Sequence, residues 1–231
     1  MITVKNLSKV YSGVTVLDVP ELHIGRGESF GLVGNNGAGK TTLFRLILDL
    51  IRPETGYALS KEQDVSKTED WKQYTGSYLD RNFLIDYLTP EEYFEFNRRI
   101  RGISVEDLEV FLESMEEFFN GEIMGKKKYI RDMSKGNQQK IGLTAALMAE
   151  PELVILDEPF NGLDPSSQIR LINMLNRQTR EKQCTLLVSS HDLNHVTEVC
   201  KRIAILEKGK IVKDIRTDIN TLKELQSYFS V

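Results

Sequence analysis

A chain of 231 residues, 40% hydrophobic and 28% charged, is long enough for one large α/β domain with a sizeable core. Thirty basic residues against 34 acidic ones leave a formal net charge of -4, so no global attraction to nucleic acid arises and no nucleic-acid partner is expected. No apolar run approaches the ~20 residues that span a bilayer, the first residues lack the layout of a signal peptide, and Cys184 and Cys200 have no metal-ligand spacing; the expectation is a reduced, cytoplasmic chain.

The opening residues alternate apolar with polar at Ile2 and Val4, and Thr15–Val19 also reads as a strand. Ser29–Val33 is a short buried-strand pattern that runs into a Gly-rich turn. Leu43, Phe44, Ile47, Leu50 and Ile51 then recur at helical spacing, with Pro53 as the stop. The stretch 82–131 is rich in Glu, aromatics and helix formers. Within it Glu91–Ile100 and Val105–Phe119 read as amphipathic helices. Leu153–Leu156 and Cys184–Ser189 are buried-strand patterns flanking a helix over Ser166–Glu181. Ile203–Leu206 and Lys210–Val212 flank the hairpin turn Glu207-Lys208-Gly209. Strands alternating with helices imply an α/β fold with a mostly parallel, helix-covered sheet. The expected organisation is a core over 1–81 and 132–215, an inserted helical subdomain over 82–131 and a tail over 216–231.

Gly34-Asn35-Asn36-Gly37-Ala38-Gly39-Lys40-Thr41, followed by Thr42, fits the phosphate-binding loop of nucleoside triphosphatases. Glycines let backbone N–H groups turn around phosphate oxygens, and the following helix adds its positive N-terminal end. Lys40 would neutralise the β- and γ-phosphates of a nucleoside triphosphate, a pattern that kinases, GTPases and motor ATPases share, and the Thr41 hydroxyl would hold Mg²⁺. Downstream, the apolar run 153–156 delivers Asp157-Glu158-Pro159 to the carboxyl edge of the sheet, where ligands of open α/β sheets bind. Asp157 would order the Mg²⁺ shell and Glu158 would align or deprotonate the attacking water. Pro159 is expected to keep Glu158 extended.

Met133-Ser134-Lys135-Gly136-Asn137-Gln138-Gln139-Lys140 resembles the signature motif of ATP-binding-cassette (ABC) ATPases, usually Leu-Ser-Gly-Gly-Gln. Ser134, Gly136 and Gln138 are read as matches and Lys135 and Asn137 as departures. Ser134 and the Gly136 backbone would open a helix and so form a second anion-binding N-terminus. In the order typical of that family, Asn161-Gly162-Leu163-Asp164 resembles the loop linking two active sites, and Ser189-Ser190-His191 resembles the switch histidine. Tyr11 sits where the family stacks an aromatic ring on adenine.

The resemblance spans about Ile2 to Lys213. It implies an Mg²⁺-dependent ATPase that pairs head to tail with a second, identical or homologous, subunit. Each ATP would lie between one chain's phosphate loop and the other's Ser134–Gln138 segment. It also implies a transmembrane permease as partner and a peripheral position on the inner face of the membrane. Asp80 aligns with the family's glutamine that contacts Mg²⁺ or the attacking water. Phe83, Leu84, Tyr87 and Leu88 are either a docking surface for the permease or subdomain core. The lysine in the signature and the short stretch after Lys213 are similar to exporter subunits. A ribosome- or DNA-directed ABC ATPase is disfavoured by the single cassette and the absence of a heptad run. An ATP-binding regulator without turnover is disfavoured by the intact Lys40, Asp157, Glu158 and His191 set. His191 and His195 lack a third ligand for zinc, and Lys126–Lys128 reads as a solvated loop.

Overall fold

The computed structural model describes residues 1–229. The chain opens with β1 (Ile2–Tyr11), β2 (Val14–Ile24) and β3 (Ser29–Val33), followed by α1 (Lys40–Ile47), β4 (Thr55–Ser60), β5 (Gln63–Asp64) and β6 (Thr75–Tyr78). Then come α2 (Pro90–Arg101), α3 (Val105–Ser114), α4 (Glu116–Phe119), α5 (Lys135–Leu147) and β7 (Leu153–Asp157). The last third carries α6 (Pro165–Glu181), β8 (Thr185–Ser190), α7 (Leu193–Val199), β9 (Arg202–Glu207), β10 (Lys210–Arg216) and α8 (Thr221–Phe229).

Among the described residues the strands form two sheets. A four-stranded sheet runs β2-β1-β4-β5 with antiparallel pairing, and a six-stranded sheet runs β10-β9-β3-β8-β7-β6. Within the latter β9, β3, β8, β7 and β6 are parallel, and β10 closes the edge as the antiparallel arm of the hairpin. This is the expected α/β architecture, a parallel sheet beside an antiparallel N-terminal region with helices inserted.

The alternation of side chains along a strand divides the core in two. Leu153, Ile155, Leu187, Ala204 and Leu206 face α1 and the four-stranded sheet, where Leu43, Phe44 and Ile47 pack among Ile2, Val4 and Leu17. Val154, Leu156, Leu186, Val188, Ile203 and Ile205 face the opposite way, onto α5, α6 and α7. The same second cluster takes in Phe94, Phe118, Phe119, Ile123 and Ile130 of the inserted region. That insertion is therefore fastened to α5 by buried aromatics. Leu225 of α8 is also fully buried in it, while Ser230 and Val231 of the expected tail lie outside the described residues.

Two helix boundaries differ from the periodicity. The helix expected to continue to Ile51 ends at Ile47, because Leu48 leaves helical geometry and Asp49 turns left-handed at φ 50. Pro53 is thus not its stop. The helix expected over Val105–Phe119 breaks into α3 and α4 at Met115, whose side chain is buried beside Phe118 and Phe119. Packing of the two aromatics overrides a continuous helical ladder.

Candidate functional site

β3 ends at Val33 and the chain turns through Gly34–Gly39 into α1, so Lys40 begins the helix. Two glycines are required by geometry. A Cβ on Gly34 would meet the Leu206 carbonyl oxygen at 2.3 Å. Gly39 has φ 109, a conformation L side chains rarely adopt. A cavity of about 250 Å³ opens over this turn, lined by Tyr11, Val16, Asn36, Gly37, Ala38, Gly39, Lys40, Thr41, Thr42 and Glu158. Of the lining residues Asn36 and Tyr11 are exposed, whereas the predicted Gly34 and Asn35 do not line the cavity, Asn35 being exposed and Gly34 buried.

The buried Lys40 ammonium donates to the Gly34 carbonyl (2.6 Å) and lies 3.3 Å from Glu158 Oε1. That ion pair lacks hydrogen-bond geometry, so Oε1 is buried with no hydrogen-bond partner. Glu158 Oε2 is 2.8 Å from His191 Nδ1. A carboxylate only accepts, so the ring nitrogen supplies the hydrogen. Thr41 Oγ1 donates to Asp157 Oδ2 (2.5 Å), and Ser189 Oγ donates to Asp157 Oδ1. Burial pushes the Asp157 carboxyl up, against the opposing pull of those two hydroxyls.

The expected extended backbone at Glu158 is not found. Glu158 has φ 48. Its amide donates to both the carbonyl (3.2 Å) and the hydroxyl (3.0 Å) of Ser189, and these contacts override the preference that Pro159 imposes.

Ser134, Gly136, Gln138 and Asp164 do not line this cavity. Ser134 caps α5, accepting from the Asn137 amide at 3.2 Å, and is exposed. Gly136 approaches the Gly162 carbonyl so closely that a Cβ would sit 2.7 Å from it. Gln138 turns inward, its Nε2 donating to the carbonyls of Ile130 (3.0 Å) and Met133 (3.1 Å). Counted from Met133, the fifth signature position falls on Asn137, and Gln138 braces the loop before the helix. Asp164 caps α6, and its hydrogen bonds from Ser166 and Ser167 hold its carboxyl well below the usual range.

Asp80 accepts from the Asn82 amide (2.6 Å) and pairs with Arg45 at 3.6 Å, contacts that do not include Thr41 or Asp157. Leu84 is buried and Leu88 packs on the core, as the subdomain-core reading has it, whereas Phe83 and Tyr87 are exposed. Lys126–Lys128 is exposed, as expected of a solvated loop.

Three contributions escaped the sequence reading. Ser189 was seen only as the lead-in to His191, yet it stands beside Asp157 in parallel register. Gln139 reaches the carbonyls of Glu158 and Pro159. His195, weighed from sequence only as a zinc ligand, instead stacks on Phe160 with ring centres 4.4 Å apart. Parallel pairing of the two buried strands was the available signal for Ser189; nothing local marked the others.

A larger cavity of about 660 Å³ lies between α3 and α6 and is lined by none of the predicted site residues. The smaller one gathers the Gly-rich turn, Lys40, Thr41 and Glu158 around one space, whereas Ser134 lines a separate cavity of about 290 Å³ with Glu122, Lys126, Lys128 and Asp132. The oxygen set of Thr41 and Asp157 suits a hard cation such as Mg²⁺, which keeps most of its shell from water and phosphate. Among the described residues no cluster of three or more His, Cys, Asp or Glu side chains is placed to hold a metal ion.

A strand, Gly-rich turn and helix with an acidic strand end beside them define a P-loop nucleotide-binding fold. The family described as ABC transporter matches residues 17–161. The chain belongs to that family, as its ATP-binding, ATP-hydrolysing domain. It is 32% identical over 220 residues to the bacitracin transport ATP-binding protein BcrA of Enterococcus faecalis, covering 93% of this chain and 69% of that one. The methionine import ATP-binding protein MetN of Carboxydothermus hydrogenoformans is 28% identical, over 95% of this chain and 67% of the relative. In structure the chain is similar to the dimeric ATP-binding cassette MJ0796 bound to ADP and Pi, with TM-score 0.84, 22% identity and coverage of 94% and 99%. None of the described helices is long and apolar enough to cross a membrane.

Proposed function

We propose that this chain energises the movement of a substrate, in the export direction, through a separate transmembrane permease, by Mg²⁺-dependent hydrolysis of ATP in the cavity over Gly34–Thr42. The observation that carries the hydrolytic assignment is Glu158, whose Oε2 is held by His191 at 2.8 Å while the buried Oε1 has no hydrogen-bond partner. Such an atom is placed to accept the proton of an attacking water.

The remaining roles follow from position. Tyr11 stacks on the adenine, and the amides of Asn35–Thr42 surround the phosphates. Lys40 exchanges the Gly34 carbonyl for phosphate oxygens. Thr41 and Asp157 hold Mg²⁺, which neutralises phosphate charge when bound. His191 and Lys40 fix the Glu158 carboxylate from two sides.

Ser134 and Gly136 open a helix away from this cavity, an arrangement that serves an ATP bound by a second copy or a homologous subunit. Asp164, capping α6 at the end of the linking loop, lies close to the same surface. The dimeric state named for MJ0796 supports that pairing. The exposed Phe83 and Tyr87 support docking of the permease, and with it a peripheral position on the inner face of the membrane. Export rests on Lys135 in the signature, a feature similar to exporter subunits.

The test is Glu158→Gln, with hydrolysis and subunit association measured together. Turnover is expected to fall by more than about a hundredfold, with an ATP-bound dimer accumulating. Tagged protein should then retrieve a polytopic membrane protein from detergent-solubilised membranes with ATP present. Unchanged hydrolysis would remove Glu158 from its role, and retrieval of ribosomal or DNA-repair proteins instead would overturn transport.

A further inference from the structure

Gln139 lies on α5, five residues beyond Ser134, and is buried. Tyr78 Oη donates to Gln139 Oε1 at 2.9 Å. On the other side Gln139 Nε2 donates to the main-chain carbonyls of Glu158 (3.3 Å) and Pro159 (3.1 Å). Chemistry fixes this orientation of the amide. Two carbonyl oxygens only accept, so the NH₂ group must face them, and the tyrosine hydroxyl can donate to the oxygen that remains.

The turn held in this way has a reason to need holding. Glu158 is a non-glycine residue at φ 48, a conformation disfavoured by contact between Cβ and the backbone. Pro159 has no amide hydrogen and cannot help to close the turn. The turn is therefore pinned from β8 at the Glu158 amide and from α5 at the two following carbonyls. Close by, Gly136 abuts the Gly162 carbonyl and the Lys140 ammonium lies 3.9 Å from Asp164. The first turns of α5 thus form the bed on which the segment 158–164 rests.

We infer that Gln139 is a positioning residue for ATP hydrolysis, holding the Glu158 backbone left-handed so that its carboxylate stays between Lys40 and His191. The inference rests on the reading of Glu158 as the base. Gln139 does not line the phosphate cavity, so its loss should act on turnover and not on ATP affinity.

Gln139→Met preserves length and stem and removes the amide, whereas Gln139→Glu sets a carboxylate against two carbonyl oxygens. Hydrolysis is referred to the number of ATP sites counted by binding, so a smaller folded fraction does not register as a slower enzyme. For the Met variant kcat is expected to fall roughly ten- to a hundredfold, further for Glu, with ATP Kd changed by less than about twofold. Gln139→Asn withdraws the amide by one methylene and shows the same split, in milder form, should the Met variant fail to fold. A Met or Asn variant with kcat within about twofold of the parent overturns the inference, as does a loss of ATP affinity in proportion to kcat. Glu158→Gln separates the two layers of argument. Turnover surviving that change refutes the assignment of the base, whereas an inactive Glu158→Gln beside a fully active Gln139→Met refutes the role of Gln139 alone.

Discussion

Ser189→Ala removes a fully buried hydroxyl that donates to the Asp157 carboxylate and accepts from the Glu158 amide. The amide retains the Ser189 carbonyl at 3.2 Å, so the loss falls mainly on Asp157, which keeps the bond from Thr41. A hydrogen bond to a charged group contributes about 1.5–3 kcal/mol. Deleting one oxygen leaves too small a void for a substantial cavity term. The expected cost is ~2 kcal/mol, or about 4–8 °C in Tm for a chain of this size.

Its pH dependence supplies a sharper test. Burial already holds the folded pKa of Asp157 above the usual value, and the lost hydroxyl lets it rise further. A carboxyl whose folded pKa exceeds its unfolded one destabilises the fold while ionised, and that cost is relieved as pH falls through the folded pKa. The gap between parent and variant should therefore be widest at neutral pH and shrink on acidification. Urea unfolding followed by circular dichroism at several pH values would measure it, with an unchanged m-value showing that the denatured state is the same. In an Asp157→Asn background the cost of Ser189→Ala should drop to about 1 kcal/mol or less, since no charge remains to be served. A Ser189→Ala protein with the parent's Tm at neutral pH, or with a deficit independent of both pH and Asp157, would refute the reasoning.

Tyr11→Ala should weaken ATP binding by about 1–3 kcal/mol, from fivefold to over a hundredfold in Kd, with Trp retaining affinity. Titration with a fluorescent ATP analogue checks this, and an unchanged Kd would remove Tyr11 from the site. Because its ring is exposed, stability should move by less than about 0.5 kcal/mol. Gly142→Ala is expected to destabilise, although alanine is favoured over glycine inside a helix by about 1 kcal/mol. A Cβ there would sit 2.0 Å from the buried Tyr78 ring, and the displaced ring would also lose its bond to Gln139. Overpacking of about 1–3 kcal/mol plus a hydrogen bond of about 1 kcal/mol outweighs the helical gain. Equal or greater urea resistance in the variant would show that the ring can move aside.

Much of this chain was legible because its chemistry is carried by contiguous residues. Ser29–Val33 is bounded as a strand by its apolar run, and the Gly-rich pattern places a helix after it, which the structure begins at Lys40. Asp157 and Glu158 were placed by the four apolar residues before them, which form the body of β7. Phosphate binding uses backbone amides in one tight turn, so local sequence encodes both turn and chemistry. α5 was harder to bound from its pattern, since Gln139–Leu147 are buried on every side and leave no polar face to give a 3.6-residue period.

What local order could not supply were the contacts that decide the shape of the site. Ser189 meets Asp157 because two parallel strands, 32 residues apart in the chain, lie side by side. Gln139 meets Glu158 because α5 packs against the sheet, and these anchors override the extended conformation that Pro159 predicts. The aromatic packing around Met115 likewise ended a helix whose periodicity continued. Sequence by itself determined the class of chemistry, since one short segment binds phosphate and one strand end supplies the acids. Tertiary structure alone decided how the acids are aimed, since the groups that aim them come from distant parts of the chain and meet only when the core closes.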